Sequence, residues 1–186
     1  MLSLLNGELI LRTLEGEDGA ALSDYFAGLG PETLRRFQPH SLTTAMAHQI
    51  CGSPDTRQSR FVVEREGRII AYFILDREMS IHETNRYREH GIMLESGLDF
   101  LFAPSVTDEF QGKGIASLAM PRLLSWARSA GARSLVLMGG TQATNARAIA
   151  FYEKFGFQRF GGYQTEIFNH DMRLCLPPGA GSNPPH

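Results

Sequence analysis

Residues 97–117 read GLDFLFAPSVTDEFQGKGIAS: an apolar run, a polar bend, a loop with alternate glycines, and the opening of a second patterned stretch. The run from Gly97 to Val106 is apolar almost throughout, which predicts a central strand buried on both faces. Pro104 marks an irregularity near its end. After the loop, Leu118, Leu123, Leu124, Trp126 and Ala127 recur at helical spacing up to Gly131 and predict an amphipathic helix. Pro121 requires that helix to kink or to start late. A buried strand, the loop Gln111-Gly112-Lys113-Gly114-Ile115-Ala116 and a helix start together suit an anion. Glycines let the backbone come close, and the unpaired N–H groups of a first helical turn can grip phosphate oxygens. The expected ligand is a pyrophosphate, although such a loop also serves purely conformational needs. Two familiar phosphate loops are set aside, because there is no G-x-x-x-x-G-K-S/T and no third dinucleotide-fold glycine.

Outward from this stretch, SLVLMGG (134–140) predicts another buried strand. Asn145 stands where a cap is wanted before ARAIAFYEKFG, and Gly156 where that helix should stop. Upstream, RFVVERE (60–66) and RIIAYFIL (68–75) flank Gly67 and predict an antiparallel hairpin. ELILRTL (8–14) alternates as a strand, Ala20 to Ala27 as a helix, and Pro31 opens a second helix, PETLRRF. Asp76 to Glu95 shows no clean period and is expected to be an irregular excursion of the kind that shapes a substrate mouth. The fold class is therefore α/β of the α+β type: one domain with a mixed, mostly antiparallel sheet flanked by helices. The domain is expected to span residues 1–176, with 177–186 a flexible Pro/Gly-rich tail.

With 186 residues and ordinary apolar and charged content, one domain with a sizeable core is expected. The net charge of −2 lacks the basic excess that nucleic acid demands, so no nucleic-acid partner is expected. No apolar run is long enough for a membrane helix, and a cytoplasmic location follows as the expectation. Cys51 and Cys175 match no metal spacing and read as buried free thiols. His82, Glu83, Glu89 and His90 match no compact ligand set, so no metal is expected. Arg86, Tyr87 and Arg88 read either as recognition of an acidic or hydroxylated acceptor or as solvated surface.

The segment VTDEFQGKGIAS resembles the signature loop of the GNAT superfamily of N-acetyltransferases: Gln or Arg, x, x, Gly, x, Gly or Ala. Gln111, Gly114 and Ala116 match it. Asn145, Ala148 and Tyr152, followed by Phe155, Gly156 and Phe157, resemble the same family's N-x-x-A-x-x-x-Y-x-x-x-G-F helix. The resemblance is specific over residues 97–160 and says little about 15–58. Spacing alone puts Asn145, Ala148 and Tyr152 on one helix face. By spacing alone, too, Asn145 reads as an N-cap and Tyr152 as an amphipathic core residue.

The resemblance implies a GNAT-like domain with splayed central strands and acetyl-CoA as co-substrate. Gln111, Gly112, Lys113, Gly114, Ile115 and Ala116 would hold its pyrophosphate. Pro104, Ser105 and Val106 would pair with pantetheine, and Asn145 and Ala148 would also contact the cofactor. Tyr152 would protonate the departing CoA sulfur, since a phenol of pKa about 10 can donate that proton. Amides near Val106 would polarise the thioester carbonyl. Asp99, or Glu95, is the candidate base for the acceptor ammonium, while Asp99 also reads as the satisfied partner of an arginine from 77–88. The implied activity is acetyl transfer to a primary amine of an unidentified small molecule by direct attack in a ternary complex, in a chain expected to form a homodimer. The alternative is a non-catalytic acyl-CoA-binding sensor or interaction module, and the donor could be acetyl or a longer acyl group.

Overall fold

The computed structural model of the chain describes residues 3–4, 8–37 and 39–177, so the expected tail lies, but for Pro177, outside the described residues. The chain forms two compact units, Met1–Asp76 with Phe102–Met120, and Arg77–Leu101 with Pro121–His186. The fold is of the mixed α/β type, with a mostly antiparallel sheet and flanking helices.

The first unit holds β1 (Ser3–Leu4), β2 (Ile10–Thr13), β3 (Gln58–Arg65), β4 (Arg68–Asp76) and the C-terminal part of β5 (Asp99–Val106), in that spatial order. The first three pairings are antiparallel. The β3–β4 hairpin closes on Glu66 and Gly67, both with positive φ, 51° and 76°. That is the backbone of a type I′ turn, whose twist matches the strands it joins. β4 is buried from Ile69 to Asp76, as its unbroken apolar run requires. Helices α1 (Gly19–Ala27), α2 (Pro31–Arg36) and α3 (Thr44–Gly52) complete this unit. Pro31 sits at the first helical position of α2, where its missing N–H costs nothing. α3 was not legible in the sequence: only Ala47, Ile50 and Cys51 are buried, and its clearest mark is the Thr43 cap on the Met46 amide, 3.2 Å.

The second unit holds the N-terminal part of β5, then β6 (Ser134–Leu137), β7 (Thr141–Gln142), β8 (Gln158–Gln164) and β9 (Phe168–Cys175). The order is β5-β6-β9-β7, with β8 on β9, and β9 is antiparallel to β6, β7 and β8. Between β5 and β6 runs α5 (Ile115–Ser129), which contains Pro121 and stays helical through it, forfeiting one hydrogen bond. β6 is shorter than expected because Gly139 and Gly140 both adopt φ +71° and turn the chain out of the strand. At Gly140 a Cβ would stand 2.7 Å from the His170 carbonyl oxygen, so glycine is required twice over. α6 (Ala146–Lys154) ends before Gly156, φ +90°.

The stretch expected to be irregular instead contains α4 (Ile81–Glu89), capped by Ser80. Its inward residues are Glu83 and Tyr87, one turn apart. A helix whose buried face carries a carboxylate and a phenol shows no apolar period, which is why the sequence concealed it. Tyr87 packs with Met79, Leu94, Leu101 and Val136 in this unit's core, and its hydroxyl donates to the Met172 carbonyl, 2.9 Å. Cys51 is buried as expected, but Cys175, the last residue of β9, is exposed. Among the described residues no helix is long and apolar enough to cross a membrane.

Candidate active site

In the first unit, β5 runs into a short 3-10 turn (Asp108–Phe110), the glycine loop and the start of α5. Gly112 and Gly114 have φ of +74° and +83°, a conformation that any side chain would strain. Among the described residues, their own chain neighbours aside, nothing lies within 4 Å of where their Cβ atoms would stand, so the space beside them is open. Ile115, Ala116 and Ser117 open the helix, and the first α5 amide with a backbone acceptor is that of Leu118, to Gly114, 3.0 Å. The amides of Gly112, Gly114, Ile115, Ala116 and Ser117 thus have no acceptor among the described residues. Unsatisfied N–H groups at a helix start are a site for phosphate oxygens.

Gln111 acts differently from its expected role. Its side-chain amide donates to the Val106 carbonyl (3.0 Å), Thr33 Oγ1 (2.8 Å) and Asp108 Oδ1 (3.3 Å). Asp108 in turn accepts from the Gly30 amide (2.6 Å) and Thr33 (3.0 Å). Gln111 therefore pins the loop to the end of β5 and to α2, with its donors turned inward, and is a positioning residue for the amides after it. Lys113 is exposed, its ammonium 5.2 Å from the Phe110 ring centre.

Ser105 is buried near the end of β5, its hydroxyl 2.8 Å from that of Tyr25 and 3.4 Å from the Tyr72 carbonyl. Burial pushes the Tyr25 phenol up, against the lowering effect of Ser105, and pushes Tyr72 up against the Arg60 charge. Tyr72 lies 3.3 Å from His40 Nε2, and His40 is ringed by Phe26, Phe37 and Tyr72. Burial holds the His40 imidazole below its ordinary range. None of this was visible in the sequence, since the partners of β5 lie 33 to 80 residues away.

In the second unit, Asn145 caps α6 by accepting from the Ala148 amide, 3.2 Å. Tyr152 is 8% exposed, with Phe151 and Phe157 against its ring. No hydrogen bond is made to its hydroxyl among the described residues, and burial alone pushes the phenol well above its ordinary value. It keeps its proton at any physiological pH.

Asp99 does not suit the role of base. It is fully buried, and its carboxylate accepts from Arg133 (2.7 Å), Arg173 (3.2 Å), the Glu95 amide (2.8 Å) and the Ser134 hydroxyl. Burial pushes the carboxyl up, but the bonds from Arg133 and Ser134 outweigh it and hold it below its ordinary value. A carboxylate held by two guanidinium groups has little affinity for a further proton. The expected arginine from 77–88 is instead Arg133 and Arg173. Arg86 also turns inward, bonding Asp171 through Nε and Nη2 at 2.9–3.1 Å beneath the Tyr163 ring, so neither it nor buried Tyr87 is placed to meet an acceptor. Glu83 accepts from the Gly139 amide, 3.1 Å, while Tyr163 donates to the Gly139 carbonyl, 2.6 Å, which fixes the bend after β6. Among the described residues no group of three or more His, Cys, Asp or Glu is arranged to hold a metal.

The chain matches the family model "Acetyltransferase (GNAT) family" over residues 29–157. Among curated proteins, none matches. Similar solved structures include a ribosomal-protein-S5-alanine acetyltransferase from Vibrio fischeri, at 14% identity and TM-score 0.75 over 95% of this chain and 97% of that one. Another is yncA from Salmonella typhimurium with its cofactor acetyl-CoA, at 18% identity and TM-score 0.67, covering 95% and 98%. A third is the Vibrio cholerae spermidine N-acetyltransferase with CoA and spermine, at 20% identity and TM-score 0.65, covering 92% and 97%. At such identities the likeness is one of fold.

Proposed function

We propose, from the premise that this chain belongs to the GNAT family of acetyltransferases, that it transfers an acetyl group from acetyl-CoA to a primary amine of a small-molecule acceptor by direct attack in a ternary complex. The observation that carries the reading is the run of acceptor-free amides at Gly112, Gly114, Ile115, Ala116 and Ser117, held open by two left-handed glycines. These donors would take the pyrophosphate, with Gln111 fixing their position. The edge of β5 at Pro104, Ser105 and Val106 would pair with pantetheine. Asn145 keeps its side-chain N–H groups available for the cofactor, since its cap uses only the oxygen. The neutral amine adds to the thioester carbonyl, the C–S bond breaks, Tyr152 gives its proton to the sulfur, and the proton shed by the new amide nitrogen passes through solvent to restore the Tyr152 phenol. The products are an amide and free CoA thiol. Similar folds that act on spermidine and on a protein's alanine favour an amine as acceptor.

Thermal unfolding with and without acetyl-CoA tests the loop, with ATP and NAD at equal concentration as controls. A ligand at a hundredfold over its Kd adds about 2.7 kcal/mol. For a domain of this size that raises Tm by roughly 5–10 °C. An equal rise with ATP, or none with acetyl-CoA, would overturn the assignment.

A further inference from the structure

One face of the first unit's sheet carries Arg60 on β3, Tyr72 on β4 and Ser105 on β5. Arg60 pairs in register with Ile74 and Val62 with Tyr72, so Arg60 and Tyr72 are diagonal neighbours on the same face. Tyr25, which bonds Ser105, also meets the Tyr72 ring edge-on at 6.3 Å, so Ser105 opens onto this face as well. Phe37 and His40 lie over this face, and both are half-buried.

Arg60 is the anomaly of this cluster. It is half-buried, and no carboxylate of the described residues forms an ion pair with it. Its Nε–H is buried and has no hydrogen-bond partner among the described residues. Its bonds go to neutral groups, the Tyr72 phenol and the Gln58 side-chain oxygen. Of the nearby acids, Asp55 is held by Arg57 at 2.7 Å, and Asp76 accepts from Gln58 at 2.5 Å. Four groups feel its charge: His40, Tyr72, Cys51 and Asp55. Guanidinium groups withdrawn from water are ordinarily paired, and an unpaired one is a receptor for an anion.

We infer that Arg60 binds an anionic group of the acceptor, so that the substrate is an amine carrying a carboxylate and not a polyamine. The inference rests on the acetyltransferase reading, which puts the thioester at the end of β5. Strands lie about 4.8 Å apart, so Arg60, leaning onto β4 from β3, is one to two strand spacings from β5, roughly 5–10 Å. At about 1.5 Å per bond, a spacer of about five carbons between amine and carboxylate fits that reach. A second ammonium in place of the carboxylate would meet the guanidinium at close range and be repelled.

The test compares 6-aminohexanoate, hexylamine and 1,6-diaminohexane as acceptors, with CoA release as the readout. The wild-type protein is expected to favour 6-aminohexanoate over the diamine by roughly 100-fold in kcat/KM, the scale of a charge pair made or reversed. Arg60→Gln should lose roughly 100-fold with 6-aminohexanoate, mostly in KM, and change little with hexylamine. Arg60→Lys, which keeps the charge, should recover part of the loss. Equal use of the three amines, a preference for the diamine, an equal loss on all three in Arg60→Gln, or no CoA release from any of them would overturn the inference. Acetyl-CoA-dependent stabilisation of the same samples separates the two failures. If it persists without carboxylate preference, only the role of Arg60 falls; if it is absent, the cofactor reading falls with it.

Discussion

Replacing Tyr152 by Phe is expected to lower kcat by about 10²- to 10⁴-fold, the range for loss of a positioned acid, while the affinity for acetyl-CoA is retained. The environment of the phenol sets this expectation. Its ring is clasped by Phe151 and Phe157, and its hydroxyl has no protein partner among the described residues. Phe fills the same volume, so the substitution removes a proton and little else. Burial raises the phenol, but a departing thiolate in the same surroundings is raised by the same loss of water, so the two stay comparable as donor and acceptor. With the phenol raised, the wild-type rate should climb with pH as the acceptor amine loses its proton and should show no fall below pH about 10. Steady-state kinetics over that range, with acetyl-CoA binding measured in parallel, checks both parts. An unchanged kcat in Tyr152→Phe would leave this side chain only a packing role.

Asp99→Asn is expected to behave in the opposite manner, with a large loss of stability and little loss of turnover per folded molecule. The new amide would point N–H groups at Arg133 and at the Glu95 amide, both already donors to this position. Stranding two guanidinium groups costs about 3 kcal/mol, the low end for a broken buried pair because Arg133 is 42% exposed. For a chain of this length that lowers Tm by roughly 6–12 °C. The sign with pH follows from the lowered folded-state carboxyl. Its contribution is complete above the unfolded value of about 3.9 and is lost as pH falls through the folded value, so the gap between wild type and variant should close in acid. Denaturant midpoints at neutral and acid pH measure this. A collapse of kcat at temperatures where the variant is folded would return Asp99 to the chemistry.

The elements most legible in the sequence were those whose burial is one-sided or complete. β3, β4, β5 and α6 sit within a few residues of their expected bounds because alternation, unbroken apolar runs and the Asn145 cap are local signals. Elements that bury polar groups were not legible. α4 turns Glu83 and Tyr87 inward, and Asp99 is buried only because Arg133 and Arg173, 34 and 74 residues downstream, reach it. The site divides in the same way. The glycine loop and the 145–152 face are read from spacing. The inward turn of Gln111 depends on Thr33, and the placing of Tyr25 and Tyr72 beside Ser105 depends on the sheet, so neither has a signature in the neighbouring residues.

The unequal placing of the two cysteines bears on how turnover is recorded. Any colorimetric reagent that counts free sulfhydryls will see the protein as well as the product. Cys175 is exposed and should react at once, giving one equivalent per chain, whereas Cys51 is buried with its thiol raised by that burial and should lag. A progress curve therefore begins from a fixed step proportional to enzyme, followed by a slow drift that substrate does not cause. The height of that step calibrates chain concentration from the same trace, and Cys175→Ser should remove the step and leave the slope.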